Sequence, residues 1–197
     1  IDGSATLSGF RDGDKFFLVY TGTEWTKRGG LAAAGGMIPL YTTLITTPVA
    51  AVDFTLDGGY TNYRVVISGL QTSGNSIVQV RFSTDGGATF PTLSLYDGNQ
   101  SSAAAGTLQP QAFISQAGVI VSTADDLFHS DMTVLNVGAS KYAAIRGLSM
   151  ESSSGTRNAT DFYWFYESTG ADAIRFFLST GNLTAGRFTI YGLGEAA

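Results

Sequence analysis

The stretch from Tyr63 to Phe90, YRVVISGLQTSGNSIVQVRFSTDGGATF, limits what this chain can fold into more than any other part of it. In its second half Val78, Val80 and Phe82 alternate with Gln79, Arg81 and Ser83, the period of a strand with one face buried. Tyr63, Val65 and Ile67 alternate in the same way with Arg64, Val66 and Ser68. Between the two runs stands Ser73-Gly74-Asn75-Ser76, whose residues tolerate positive φ or bond their own backbone. After them comes Asp85-Gly86-Gly87, a hairpin signal because Asp-Gly supplies the angles of a tight turn. An antiparallel structure built from hairpins is therefore expected. Val78, Val80, Phe82, Phe176 and Phe188 should face its core, and Gln79 and Arg81 should face solvent or a neighbouring subunit.

The same design recurs downstream. Strands are expected at Thr42–Thr47, Val49–Leu56, Leu93–Tyr96, Ala112–Ser115, Val119–Ser122, Met132–Val137, Tyr142–Met150, Phe162–Glu167, Ala173–Ser179 and Arg187–Tyr191. Pro48 breaks the first pair, Asp97-Gly98-Asn99 reads as a turn, residues 100–106 as a loop of small residues, and Ser152-Ser153-Ser154-Gly155 as an interruption. No segment carries an apolar stripe at helical spacing. Short strands with frequent turns predict a two-sheet antiparallel β-sandwich of jelly-roll type.

Residues 1–36 differ from the rest. Lys15–Tyr20 and Glu24–Lys27 flank Thr21-Gly22-Thr23 as one small hairpin containing Trp25, and Gly29–Gly36 is a connector of small residues. A lone hairpin is marginal in water, so it should lean on a partner. The expected division is an N-terminal hairpin and connector over residues 1–36 and a sandwich over residues 39–194.

Composition narrows the partners. The chain of 197 residues is 14% charged, against roughly 25% in an ordinary soluble domain, and 12% aromatic with 25 glycines. Such an uncharged, turn-rich surface suits contact with other subunits or with sugars. The net charge of −5 offers no cationic footprint for nucleic acid. No apolar run approaches the roughly 20 residues that span a bilayer, and no basic-then-apolar leader stands at Ile1. With no cysteine, thiolate metal sites and disulfides are excluded.

Chemistry-bearing constellations are sparse. The one histidine, His129, lies in Asp125-Asp126-Leu127-Phe128-His129-Ser130-Asp131, which reads as a polar loop. A triad there would need spatial geometry that proximity in sequence does not supply. The same loop offers calcium oxygen ligands, but not in the EF-hand pattern. Asp125, Asp131, Glu151, Asp161 and Glu167 could supply a glycosidase carboxylate pair, and no spacing selects one. Neither a catalytic residue, a metal site nor a cofactor is expected. In Phe162-Tyr163-Trp164-Phe165-Tyr166 the rings could stack on sugars; a central strand buried on both faces, or a subunit contact through Trp25, Tyr163 and Trp164, is the simpler reading. Tyr96, Asn99 and Gln100 form the candidate for exposed recognition, as a loop with an aromatic and two amides.

Ser83-Thr84-Asp85-Gly86-Gly87-Ala88-Thr89-Phe90 fits the S-x-D-x-G-x-T-aromatic Asp-box of sialidases and other β-propellers. A propeller repeats the motif from blade to blade and this chain has one copy, so Asp85, Gly86 and Gly87 are read as a structural turn. Together with AAVDFTLDGGYTNYRVVISGL and the closing GRFTIYGL, the hairpin resembles modules of tailed-bacteriophage tail and fibre proteins. The residues that carry the resemblance are Phe54, Tyr60, Tyr63, Ile67, Gly69, Arg81, Ser83, Asp85, Gly86, Phe90, Ile190, Tyr191 and Gly192, spread over Val49 to Leu193. DGDKFFLVYTGTEW is similar to the small β segments that precede such modules. The resemblance implies a non-enzymatic virion protein, assembled in the host cytoplasm. It would be a tail-fibre or receptor-binding module, a homotrimer or part of a larger assembly with other virion subunits, adhering to a host-surface glycan or protein. Capsid decoration is the alternative role. A carbohydrate-active enzyme is a third reading, and no acid/base pair argues for it.

Overall fold

Valine, isoleucine, threonine and aromatic residues at alternate positions, broken by Gly, Ser, Asn and Asp, leave this chain little choice but strands. The computed structural model describes residues 16–20, 25–30, 36–56, 59–93, 95–100, 109–115, 127–138, 142–153 and 156–194, and only the backbone of residues 16–20, 25–30, 99, 100, 153 and 156. Among the described residues there is no helix. The strands are β1 (Phe16–Tyr20), β2 (Trp25–Gly30), β3 (Met37–Ile45), β4 (Ala51–Thr55), β5 (Asn62–Thr72), β6 (Val78–Ser83) and β7 (Tyr96–Gln100). After them come β8 (Ala112–Phe113), β9 (Phe128–Leu135), β10 (Tyr142–Ser153), β11 (Thr156–Thr169), β12 (Ala173–Leu178) and β13 (Leu183–Leu193). β1 and β2 pair antiparallel as a sheet of their own.

The remaining strands form two antiparallel sheets, in the orders β3-β13-β5-β9-β10-β11-β7 and β4-β12-β6-β8. Setting β7, β10 and β11 aside leaves eight strands. Counted along the chain, these run first-eighth-third-sixth in one sheet and second-seventh-fourth-fifth in the other, the interleaved Greek keys of a jelly roll. The hairpin β10–β11 is an insertion between the sixth and seventh of these strands, and with β7 it widens one sheet to seven.

This topology corrects the expectation of successive hairpins. β5 and β6 belong to different sheets, so Ser73–Ser76 carries the chain across the sandwich; likewise β6 pairs with β12 and β8, and no hairpin closes at Asp85. The Ser76 and Ser73 hydroxyls and the Ser73 amide instead bond to Ser179, Thr180 and Asn182, clamping that crossing to the loop after β12.

Alternation decides the core. Tyr63, Val65, Ile67 and Leu70 of β5 and Phe188 and Ile190 of β13 face Val78, Val80 and Phe82 of β6 and Ile174 and Phe176 of β12, all essentially inaccessible. The five residues expected inside are inside. Gln79 is not at the surface as expected: it is 6% exposed, paired between Phe113 on β8 and Phe177 on β12. Arg81 is half-buried, its guanidinium over the Phe177 ring at 4.6 Å and bonded to Gln111 at 3.1 Å.

Asp97-Gly98-Asn99 is no turn. It is the middle of β7, paired to β11 with Gly98 opposite Trp164. A Cβ on Gly98 would overlap the Tyr163 carbonyl oxygen and the Trp164 Cα, so glycine is there for close approach of two backbones. We predict that Gly98→Ala peels β7 from β11 while leaving the other strands paired. Hydrogen exchange should show protection lost at residues 96–100 and 162–166 alone; unchanged protection there would refute it.

Candidate functional site

The inserted hairpin builds two different faces from one alternation. Toward the interior, Ile145 pairs with Trp164, Gly147 with Phe162, Ser149 with Thr160 and Glu151 with Asn158. Outward, the rungs are Ala144/Phe165, Arg146/Tyr163, Leu148/Asp161, Met150/Ala159 and Ser152/Arg157. Because the smaller sheet lies only on the inner side, the outer side chains are largely open; among those named, Ala144 alone is buried, at 9% exposed. Tyr163 is 48% exposed, Phe165 50%, Met150 54% and Leu148 40%. At one end of this face a depression of about 400 Å³ is lined by Leu127, His129, Met150, Ser152, Arg157 and Ala159, with Glu151 and Asn158 completing it. Farther along, Arg64 grips Asp131 in a bidentate pair, Nε to Oδ1 at 2.7 Å. Arg146, Arg157 and Asp161 have no such partner among the described residues.

Beneath that face lies a polar layer. Ser149 donates to the Ile114 carbonyl and also meets the Ser130 hydroxyl at 2.9 Å. Glu151 is 4% exposed, and neither carboxylate oxygen has a partner in hydrogen-bonding geometry among the described residues. Loss of solvent pushes its pKa up to about 7, with the neighbouring Asn158 amide opposing the rise.

The Asp85 turn is a closed hydrogen-bond cage. Ser83 Oγ donates to Asp85 Oδ1 at 2.6 Å and accepts from the amides of Asp85 and Gly87. The carboxylate also accepts from the Thr89 amide at 2.9 Å and the Thr89 hydroxyl at 2.6 Å. Gly86 and Gly87 sit at φ 72° and 87°, where a side chain would be strained. Across from the cage, Asp172 accepts from the Gly86 amide at 2.9 Å, tying the turn to the start of β12. These bonds satisfy the loop's own backbone and hold the Asp85 carboxyl down to about 2, chiefly through Ser83 and Thr89.

Several candidate residues lie elsewhere than expected. Tyr96 is not an exposed recognition residue. It is 1% exposed, its hydroxyl accepts from the Phe82 amide, and its ring packs on Tyr166 at 5.1 Å. The Asn99 and Gln100 side chains lie outside the described residues, and their backbone is strand and not loop. Trp164 is no subunit contact: it is 2% exposed and donates from Nε1 to the Phe113 carbonyl at 2.9 Å. Trp25 is on β2, with its side chain outside the described residues. β11 is buried on one face and open on the other, not buried on both; Tyr163 and Phe165 hold the open side.

His129, Ser130 and Asp131 are in β9, not in a loop, so His129 and Asp131 point outward and Ser130 inward. Ser130 therefore cannot serve His129 as a nucleophile. His129 Nδ1 instead accepts from the Gly69 amide at 3.3 Å, beside the irregular pairing of β5 and β9. Of the carboxylates, Asp131 and Asp161 share the outer face with Leu148 between them, while Glu151 points inward; Asp125 and Asp126 lie outside the described residues. Among the described residues no group of three His, Asp or Glu could hold a metal, and no helix is long and apolar enough to cross a membrane. Leu148, Met150 and Arg146 went unmarked in the sequence reading, although they occupy every second position of the strand expected at Tyr142–Met150.

No protein-family model, no curated protein and no solved structure matches this chain.

Two pH responses follow from these environments. Asp85 ionises lower in the folded state, so its stabilisation is complete above the ordinary aspartate pKa and is lost as pH falls from about 4 to about 2. Asp85→Asn should melt lower than the parent at neutral pH, and the gap should close through that window. Glu151 has the opposite sign: its raised pKa makes stability greatest below the unfolded value and lower as pH rises to about 7, flat thereafter. Glu151→Gln should remove that decline, so thermal melts from about pH 4 to pH 8 distinguish the two carboxyls.

Proposed function

We propose that this chain is a virion structural protein of the tailed-bacteriophage kind, a tail-fibre or receptor-binding module that presents a rigid sheet surface for contact with other subunits or with the host. The observation that carries the reading is the outer face of β10–β11, where two aromatic rings, a leucine and a methionine stand 40–54% exposed on a paired, twelve-residue strand and its neighbour. Exposed apolar groups held on a sheet suit contact with another surface, since their cost in water is recovered only when something covers them. The jelly roll is a fold used by capsid and lectin domains, which supports the reading by analogy of fold alone.

The residues of the phage-protein resemblance also have physical work in this fold. Tyr63 donates from its hydroxyl to the Leu56 carbonyl at 2.6 Å and meets the Tyr60 ring edge-on at 6.2 Å. Tyr60 in turn packs so closely on Gly192 that a Cβ there would strike the ring. The paired segments YTNYRVVI and FTIYGL are thus one packing unit, which gives the resemblance residues Tyr60, Tyr63 and Gly192 a role in the fold.

Capsid decoration uses the same surface differently, and the two roles separate by experiment. Gold-labelled antibody to this chain should mark tails in negative-stain images of virions, and the isolated protein should bind whole host cells. Labelling of heads with binding only to capsid shells would replace the fibre role by decoration. Release of reducing ends from host polysaccharide by this chain alone would overturn both.

A further inference from the structure

We propose that the outer face of the β10–β11 hairpin is the contact surface for a second copy of this chain, with the two hairpins packed face to face about a two-fold axis parallel to the strands. The geometry rests on self-complementarity, which a two-fold contact between identical surfaces demands. Rotation about the line between β10 and β11 keeps every rung at its level and exchanges the two strands. Each outward residue of β10 then meets the β11 residue of the same rung in the other copy.

The rungs fit this exchange. Phe165 stands over Ala144 of the second copy, and Met150 over Ala159, so a large side chain faces a small one at two levels. Sheets packed face to face are about 10 Å apart and interdigitate their side chains, which such pairing allows. Ala159 lines the depression of about 400 Å³, so Met150 of the second copy enters that hollow. At the central rungs Arg146 lies over the Tyr163 ring of the second copy and Leu148 over its Asp161, which leaves that carboxylate one rung from Arg146.

Charge points the same way. Arg146 and Asp161 carry opposite signs on one face, and neither has an ion-pair partner among the described residues. A face of one sign would repel its own copy; this one supplies both partners of a reciprocal pair. The contact takes the face on which the proposed function rests, so a virion module assembled in this way spends that face on its own copy and meets the host through another surface. Its two-fold symmetry departs from the threefold arrangement that the family resemblance implies.

Sedimentation velocity of the full chain over a concentration series tests the proposal. The expected result is a reversible monomer–dimer equilibrium. Phe165→Glu should weaken it on the order of thirtyfold, as loss of an aromatic interface anchor does, with an unchanged melting temperature for the monomer. Should that variant fail to fold, Met150→Glu reads the same loss. Arg146→Glu should weaken association, and adding Asp161→Arg should restore it in part, which a merely structural role for either residue would not do. A chain that stays monomeric at every concentration overturns the proposal, as does a dimer whose affinity is unmoved by these variants. A monomer that binds dextran, and loses that binding as Tyr163→Ala, would also overturn it, by giving the face to a polysaccharide.

Discussion

Three phenylalanine rings meeting between the sheets hold this sandwich together. Phe176 on β12 lies 5.3 Å from Phe188 on β13, and both are within 6.3 Å of Phe54 on β4. Each ring comes from a different strand, and each strand has a different place in the order. β12 is central in the smaller sheet, held by β4 and β6; β13 is held by β3 and β5 in the larger. Joining β12 to β13 therefore joins every strand of the jelly roll's first layer of neighbours. Rings at these distances contribute about 0.5–1.5 kcal/mol per pair beyond the area they bury. A second ring cluster, Phe82, Tyr96 and Tyr166, repeats the arrangement toward β7, where the Tyr96 hydroxyl also takes up the Phe82 amide.

Strand character was legible wherever side chains alternate strictly, because period two is a local property. Val78-Gln79-Val80-Arg81-Phe82 and Ile174-Arg175-Phe176 show it without ambiguity, and both lie where they should. What alternation cannot reveal is which strand a strand meets. Ser73–Ser76 has the composition of a hairpin turn, yet it spans the sandwich, since Greek-key order is set by packing between distant segments. β7 was misread for a related reason. Gly98 looks like a turn residue when its only visible neighbours are Asp97 and Asn99; its real neighbour is the backbone of Trp164, 66 positions later.

The outer face was legible as a pattern and not as a surface. Phe162 to Tyr166 divides into two sets of rings by parity alone, but which set is covered depends on where the four-stranded sheet lies. Gln79 makes the converse point: a polar residue on the outward parity is buried where its strand runs between β8 and β12. The Asp85 cage, by contrast, is assembled almost entirely from residues 83 to 89, and so was readable from seven consecutive positions.

The pairing of β3 with β13 has a mechanical meaning. Met37 lies opposite Leu193, so the first and last residues of the sandwich are cross-strand neighbours roughly 5 Å apart. A pull that separates these two points loads the β3–β13 ladder one pair at a time, like a zip, instead of shearing all its bonds together. The chain thus travels almost no distance from where it enters the sandwich to where it leaves. Its bulk hangs to one side of that path, with β10 and β11 the third and fourth strands beyond β13.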